Sequence, residues 1–346
     1  MPERLMVALL VTAVFAVAPA TALARLTAGG SVQQVYVTGA SPGERLVLVN
    51  RHGAAVASQT AGSLGGAIFR GLRPGPGYRV RPAAGGGAGG GGGGGAGAAT
   101  RAVTVLPDRS APPSTRIYDQ RIPRSGYGYL TTRDGTKLAI DVRLPGGPGP
   151  YPTVIEYSGY GYADPAGAES GISPVATLLG FAVVDVNMRG TGCSGGAFSF
   201  FEPLQNLDGY DVIETVAHQP WALHHKVGMI GISYGGISQL FVAATDPPDL
   251  AAIAPLSVID NAATTLYPGG ILNTGFGVPF ATARDFDAEP ASPGHGEGWA
   301  LQRIRSGDRI CRANQALHPE AVNEVAEVSA NRFYVPSVAN PLNPDT

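Results

Sequence analysis

The sequence lacks an excess of charge of either sign and contains no cluster of basic residues. Charged residues make up 14% of its 346 residues, and the formal net charge is −2. A nucleic-acid-binding protein presents lysine and arginine to the phosphates as a patch or stripe. The composition therefore predicts no nucleic-acid partner.

Cysteine is almost absent, since the chain has only Cys193 and Cys311. Neither has a second cysteine or a histidine at metal-ligand spacing, which excludes a cysteine-based zinc site. The two thiols could form a disulfide or lie buried and unconnected, and both interpretations stay open. No metal or organic cofactor is implied by any motif in the chain.

Long hydrophobic runs are missing after the first residues. The apolar run 5–17 follows Arg4 and is too short to span a bilayer comfortably. Small residues at 22–24, with 20–22 as the alternative, suit cleavage after a secretory signal peptide. We therefore expect residues 1–24 to be a signal peptide and the protein to be secreted. No stable membrane insertion should remain after cleavage, and an uncleaved anchor is the alternative.

Glycine is abundant, and part of the 50 glycines falls in a nearly pure glycine–alanine run at 85–99. This run has no side chains to bury, which predicts a flexible linker or loop. Strand-like segments at 32–37, 45–49 and 103–106 lie on either side of it. Residues 25–108 are therefore predicted to form a small all-β, sandwich-like module.

Strands alternate with helices in residues 109–260. Asp134-Gly135 separates two strand-like segments, which is typical of a β-hairpin. Further strands are predicted at 153–157, 181–186, 227–232 and 250–255, and helices at 173–179, 207–217 and 237–245. This alternation predicts an α/β fold with a mostly parallel sheet and helices on both faces.

Residues 261–346 change character. The segment 261–288 is rich in glycine, proline and aromatics, and helix-compatible segments follow at 299–304, 309–316 and 319–328. We expect a helical cap that shapes a pocket over the sheet and excludes water from it.

The most informative motif is Gly231-Ile-Ser-Tyr-Gly235, which lies between a predicted strand and a predicted helix. This is the G-x-S-x-G nucleophile elbow, in which a serine on a strained turn projects above the sheet. Gly231 and Gly235 are expected to supply the room that such a turn needs. The alternative is a glycine-rich turn with an idle serine.

Several segments resemble the Xaa-Pro dipeptidyl-peptidase and cocaine-esterase group of α/β-hydrolases, over about residues 126–273. They are the segments 128–139, 157–160, 188–196, 219–221, 231–236 and 252–255. The resemblance implies a serine hydrolase that acts on small ester or peptide substrates and needs no cofactor. Ser233 takes the nucleophile role, and the Tyr234 backbone N–H and the Tyr160 phenol are implied as oxyanion donors.

The pattern breaks after the elbow. In this fold an acid and then a histidine follow the nucleophile on later strands. The only later histidines are His295 and His318, both in the cap, and neither Asp260 nor Asp285 follows a predicted strand. We therefore expect an α/β-hydrolase sheet that is truncated before the acid and histidine strands.

Three hypotheses follow from this break. The chain could be the N-terminal part of a longer secreted serine hydrolase. It could be a catalytically inactive relative that acts in binding or interaction, through its β module for instance. It could also be an active enzyme with a substitute base such as His318. The sequence indicates no particular substrate and no oligomeric state.

Overall fold

The computed structural model describes residues 25–83, 98–165 and 172–339. The predicted signal peptide at 1–24 and most of the glycine run at 85–99 lie outside the described residues. Among the helices that are described, none combines the length and the apolar character needed to cross a membrane.

The N-terminal module consists of two small antiparallel sheets that enclose a common core. Valine and leucine alternate in its strands, so Val35, Val37, Leu46 and Leu48 point inward and are fully buried. The sheet orders are β1-β2-β5 and β4-β3-β6-β7. The strands are β1 Thr27–Ser31, β2 Gln34–Thr38, β3 Arg45–Val49, β4 Ala55–Thr60, β5 Ala67–Phe69, β6 Gly75–Pro82 and β7 Val103–Val105.

A six-stranded mixed sheet forms the second part of the structure. Its strands are β8 Gly126–Thr131, β9 Lys137–Arg143, β10 Thr153–Ser158, β11 Ala182–Asn187, β12 Val227–Ile232 and β13 Leu250–Leu256. The order is β13-β12-β10-β11-β9-β8, in which β8 and β9 are antiparallel and the other four strands are parallel. Every residue of β10 and β11 is buried, as expected for central parallel strands. The predicted α/β-hydrolase sheet is confirmed in these strands.

Three helices accompany the sheet: α1 Ser173–Leu178, α2 Pro203–Ala217 and α3 Tyr234–Ala243. Helix α3 begins directly after β12 and packs against β10, β12 and β13. Helix α2 is buried along most of its length and contacts α3. The elbow therefore sits on a strand and a helix that are both held from several sides.

The remaining helices form the cap. They are α4 Ala262–Leu266, α5 Gly277–Ala288, α6 Gly298–Arg305, α7 Arg309–Asn314, α8 Glu324–Ser329 and α9 Pro336–Ala339. Helix α5 was not predicted from the sequence, where glycine, proline and aromatics dominate the segment. Its buried face, Gly277, Ala281, Arg284 and Ala288, has helical spacing, but small residues and an arginine make a weak apolar signal.

The module and the sheet are joined by hydrogen bonds at the β8–β9 turn. Ser31 donates to Asp134 Oδ2 at 2.6 Å, and the Tyr36 hydroxyl donates to the Asp134 carbonyl at 3.0 Å. Gln34 adds a contact of 3.2 Å with Glu202, next to α2. The module is therefore docked on the hydrolase part through buried polar groups.

A buried arginine lies behind this junction. Arg189, in the loop after β11, is 3% exposed and pairs with Asp134 at 3.0 Å and with Asp208 of α2 at 2.7 Å. Burial alone would raise the pKa of Asp134, but the Arg189 charge and the hydrogen bond from Ser31 outweigh it and hold that pKa at about 2. Through these contacts Arg189 ties its loop to the β8–β9 turn and to α2.

Cys193 and Cys311 form a disulfide with a Cα–Cα distance of 4.6 Å. The bond joins the loop after β11 to helix α7, so it connects the sheet to the cap. It closes a loop of 118 residues, and a cross-link over so long a loop removes much conformational entropy from the unfolded chain.

We expect the double substitution Cys193→Ala, Cys311→Ala to lower the free energy of unfolding by about 3–5 kcal/mol, because the unfolded chain regains that entropy. Urea denaturation of both proteins, with and without a reductant, measures the difference. The wild type should lose stability on reduction, whereas the double variant should not respond. A wild type that is equally stable with and without reductant would contradict the cross-link.

Candidate active site

The elbow holds Ser233 in a strained backbone conformation, with φ 58° and ψ −121°. Ser233 is the residue before α3, and the N–H groups of Gly236 and Ile237 donate to its carbonyl at 2.8 and 2.7 Å. Its own N–H donates to the carbonyl of Leu256 in β13 at 2.9 Å. The strain therefore persists because both flanking elements fix the turn.

The glycines that this turn needs are Gly231 and Gly236. A Cβ at Gly231 would lie 2.6 Å from the Gly235 carbonyl oxygen, and one at Gly236 would lie 2.2 Å from the Leu256 carbonyl oxygen. A Cβ at Gly235 would meet only ordinary contacts of 3.5 Å or more. The expectation for Gly231 is confirmed and that for Gly235 is wrong, because the close approaches are those of Gly231 to the Gly235 carbonyl and of Gly236 to Leu256 of β13.

Three candidate groups meet at the carboxyl ends of the neighbouring strands β10 and β12. The hydroxyls of Ser233 and Tyr160 share a hydrogen bond of 3.0 Å, and the Tyr234 N–H donates to the Tyr160 hydroxyl at 3.3 Å. Ser233 and Tyr160 are both half-buried. The arrangement thus places a nucleophilic oxygen beside two possible donors to one oxygen atom, and their catalytic roles stay predictions.

Tyr160 lies under a charged group from the cap. The Arg284 guanidinium sits 4.5 Å from the centre of the Tyr160 ring, and Arg284 is 8% exposed. Its Nε and Nη1 have no hydrogen-bond partner among the described residues, while Nη2 pairs with Asp287. A guanidinium at this distance over the ring makes a cation–π contact that helps to hold the ring in place. No sequence motif marks Arg284, because only the packing of α5 brings it here.

The Tyr234 side chain has a structural task. It is buried, and its hydroxyl donates to Gln205 of α2 at 3.0 Å. Burial raises the pKa of this phenol well above its ordinary value. Its ring also makes edge contacts with Phe198 and Phe201. The side chain therefore anchors the elbow to α2, and only its backbone N–H faces Ser233.

All six histidines of the chain lie in the described ranges, and within those ranges none hydrogen-bonds to Ser233. His318 is 1% exposed, and its Nε2 lies 2.8 Å from the Ser194 carbonyl. Burial lowers its pKa. His295 is exposed and pairs with Glu289 at 2.7 Å. The geometry gives no support to His318 as a substitute base.

The two candidate acids are also engaged elsewhere. Asp285 accepts the N–H groups of Glu324 and Val325 at 2.7 and 3.1 Å, at the start of α8. Asp260 accepts from Thr264 at 3.0 Å. Both carboxylates are therefore engaged within the cap, and the described residues do not assemble a Ser–His–acid triad.

A buried carboxyl lies behind the Tyr160 loop. The Glu297 carboxylate packs against the backbone of Gly161 and Gly192, and the Trp299 indole N–H donates to its Oε2. Oε1 is buried without a hydrogen-bond partner among the described residues. Burial, with a smaller contribution from the Asp287 charge, raises the pKa of Glu297 to about 8.

This carboxyl predicts a pH-dependent stability. The folded state keeps a proton that the unfolded chain, with a glutamate pKa of about 4.3, releases. The free energy of unfolding should therefore fall as pH rises from about 4 to 8, by up to about 1.4 kcal/mol per pH unit for this group. Glu297→Gln should flatten that slope and gain stability at pH 8.

Urea denaturation at pH 5, 6.5 and 8 measures the effect. Glu327→Gln is the control, because Glu327 forms a surface pair with Arg332 at 3.1 Å. It should leave the slope as it is in the wild type. A Glu297→Gln slope indistinguishable from that of the wild type would show that Glu297 ionises normally in the folded state.

Comparison with known proteins identifies the family of the chain. The family described as X-Pro dipeptidyl-peptidase (S15 family) matches residues 134–334, which is more than half of the chain. A Mycobacterium bovis protein that carries the name serine esterase is 30% identical over 185 residues, covering 47% of this chain and 29% of the relative. The cocaine esterase of a Rhodococcus species is 31% identical over 149 residues, covering 41% of this chain and 25% of the relative.

A solved structure of a CocE/NonD family hydrolase from Staphylococcus aureus is 26% identical, with a TM-score of 0.42. The match covers 55% of this chain and 37% of that one. The chain spans less than a third of the length of the curated relatives that it matches. The resemblance drawn from the sequence motifs is thus confirmed.

Proposed function

Since this chain belongs to the X-Pro dipeptidyl-peptidase (S15) family of hydrolases, we propose that Ser233 is the nucleophile of a secreted serine hydrolase. The enzyme cleaves ester or amide bonds of small substrates through an acyl-enzyme. The observation that carries the proposal is the meeting of the Ser233 hydroxyl, the Tyr160 hydroxyl and the Tyr234 N–H at one point. The curated relatives are named as esterases, which favours an ester as the first test substrate.

The proposed reaction follows from these positions. Ser233 Oγ gives its proton to a base and attacks the substrate carbonyl carbon, and the carbonyl oxygen becomes an oxyanion. The Tyr234 N–H and the Tyr160 O–H donate to that oxyanion. The intermediate collapses to an acyl-Ser233 ester, and the leaving group takes the proton. Water then releases the acyl group by the same steps.

The base is proposed to be an imidazole from sequence outside these 346 residues. An apolar strand edge supports this proposal, because β13 forms one end of the described sheet. Leu256 on β13 is 50% exposed, and Ile232 and Val258 beside it are 41% and 44% exposed. Such an edge favours pairing with a further strand. The greater length of the curated relatives leaves room for such strands.

Secretion is proposed on two grounds. The first residues have the features of a signal peptide. The disulfide between Cys193 and Cys311 is a bond that persists in an oxidising compartment. Detection of the mature chain in the medium of the native host, starting near residue 25, tests this part of the proposal.

The nucleophile is tested by labelling with a fluorophosphonate. The longest product of the gene should be labelled on Ser233. The Ser233→Ala protein should not be labelled, although its thermal unfolding midpoint should equal that of the wild type. Ser306→Ala, at an exposed serine after α6, is the control and should label normally. Labelling of Ser233→Ala at the wild-type rate would refute the nucleophile.

The missing base is tested with the same probe. The 346-residue chain alone should react at least a hundredfold more slowly than the longest gene product, since an unassisted serine is a weak nucleophile. Equal labelling rates would show that the 346 residues already contain the base, and would leave the nucleophile in place.

The Tyr160 role predicts a selective kinetic loss. Tyr160→Phe in the active protein should lower kcat for a p-nitrophenyl ester by about 10²–10³ with little change in KM, because it removes one oxyanion donor. Tyr162→Phe is the matched control, since its ring lies 5.7 Å from that of Tyr160. It should change kcat by no more than a few-fold. Equal effects of the two substitutions would remove Tyr160 from the oxyanion site.

A further inference from the structure

A cluster of possible metal ligands lies at the edge of the sheet opposite to Ser233. Glu214 and His218 belong to the end of α2, and Asp249 directly precedes β13. One ligand atom from each residue can be chosen so that all three lie within 4.8 Å of one another. We propose that these three residues bind a divalent metal ion, with zinc as the best match.

The backbone already brings two of the ligands to one face. Glu214 and His218 are four residues apart, and residues at this spacing on a helix project side by side. The Asp249 N–H donates to Glu214 Oε1 at 3.1 Å, which fixes the third residue against the helix end. The relative positions of the three residues are therefore set by the helix and by a backbone hydrogen bond.

The distances require only small side-chain movements. His218 Nε2 lies 3.8 Å from Asp249 Oδ2. Two ligand atoms of a tetrahedral zinc ion, each about 2.0–2.1 Å from the metal, are separated by about 3.3 Å. The side chains of His218 and Asp249 are 37% and 21% exposed, so they have the freedom to close this gap. Water would fill the fourth position.

Glu214 has a carboxylate oxygen that accepts no hydrogen bond from a described residue and is left for a metal ion. The residue is only 5% exposed, and its one hydrogen bond, through Oε1, comes from the Asp249 N–H. No described residue donates a hydrogen bond to Oε2. Oε2 is not one of the buried atoms without a partner, so it is open to water or to a metal ion held between the three side chains.

The charge of the site favours a divalent cation. Three carboxylates surround the imidazole, from Glu214, Asp249 and Asp119, and one ammonium group opposes them. Lys226 Nζ contacts Asp249 Oδ1 at 3.0 Å, so Oδ2, which faces His218, stays free for the metal. The formal balance of −2 matches a single divalent ion.

His218 also has a partner on its other ring nitrogen. Nδ1 lies 3.7 Å from Asp119 Oδ1, and the ring meets Tyr118 edge-on at 6.0 Å between centroids. With this carboxylate on the Nδ1 side, Nε2 is the ring nitrogen that faces Asp249 and can serve as the ligand. An imidazole among the ligands favours zinc over magnesium or calcium, which prefer oxygen.

The alternative is a protonated His218 that pairs with Asp119 and Asp249 at the carboxyl end of α2 without any metal. Isothermal titration of tag-free, chelator-treated protein with zinc chloride separates the two. The wild type should bind one equivalent of zinc with high affinity, and cobalt in its place should give the visible absorption of a tetrahedral site. Magnesium should give no comparable heat.

His218→Gln should weaken zinc binding at least tenfold and abolish the cobalt absorption. Asp249→Asn should do the same through the opposite ligand. His295→Gln is the matched control, since His295 pairs with one carboxylate, Glu289, on the surface, and it should bind like the wild type. Failure of the wild type to bind, or unchanged binding by His218→Gln, would overturn the proposal. Neither result depends on hydrolase activity.

Discussion

The pairing of the Arg189 guanidinium with Asp134 and Asp208 is the constraint on which the two parts of the structure depend. It joins the β8–β9 turn, the loop after β11 and helix α2 in one buried network, and Ser31 extends it into the N-terminal module. Removal of one member would leave a charge buried without its partner, which costs several kcal/mol. The loop after β11 also carries Cys193. It is therefore held by the ion pairs of Arg189 on one side and by the disulfide to the cap on the other.

The geometry of the candidate site depends on this buried network. Helix α2, which Arg189 holds through Asp208, presents Gln205 to the Tyr234 hydroxyl and so anchors the elbow. The Tyr160 hydroxyl then meets Ser233 because β10 and β12 are neighbours and end at the same edge. The strained serine, the Tyr160 hydroxyl and the cap are thus positioned by separate elements that share one rigid base. Such rigidity suits a site that acts by preorganised hydrogen bonds.

The sequence predicted structure correctly where a local pattern is compatible with only one type of element. The elbow motif, the hairpin at Asp134-Gly135 and the buried strands 153–157 and 181–186 were predicted close to their observed positions, because apolar runs and turn residues act over a few neighbours. Helix α5 and the obligatory glycine at position 236 were not. Both depend on what packs across from them, the cap for the helix and Leu256 for the glycine.

By itself, then, the sequence determined the α/β order of elements, the identity of the serine at the turn and the family of the chain. Only the tertiary structure decided that Tyr160 reaches Ser233, that Arg284 covers the Tyr160 ring and that His318 lies elsewhere. It alone also brought Asp249 to the end of α2. The physical reason is that these contacts join residues that are distant along the chain. Their distances are set by how whole helices and strands pack, and no local sequence pattern encodes that packing.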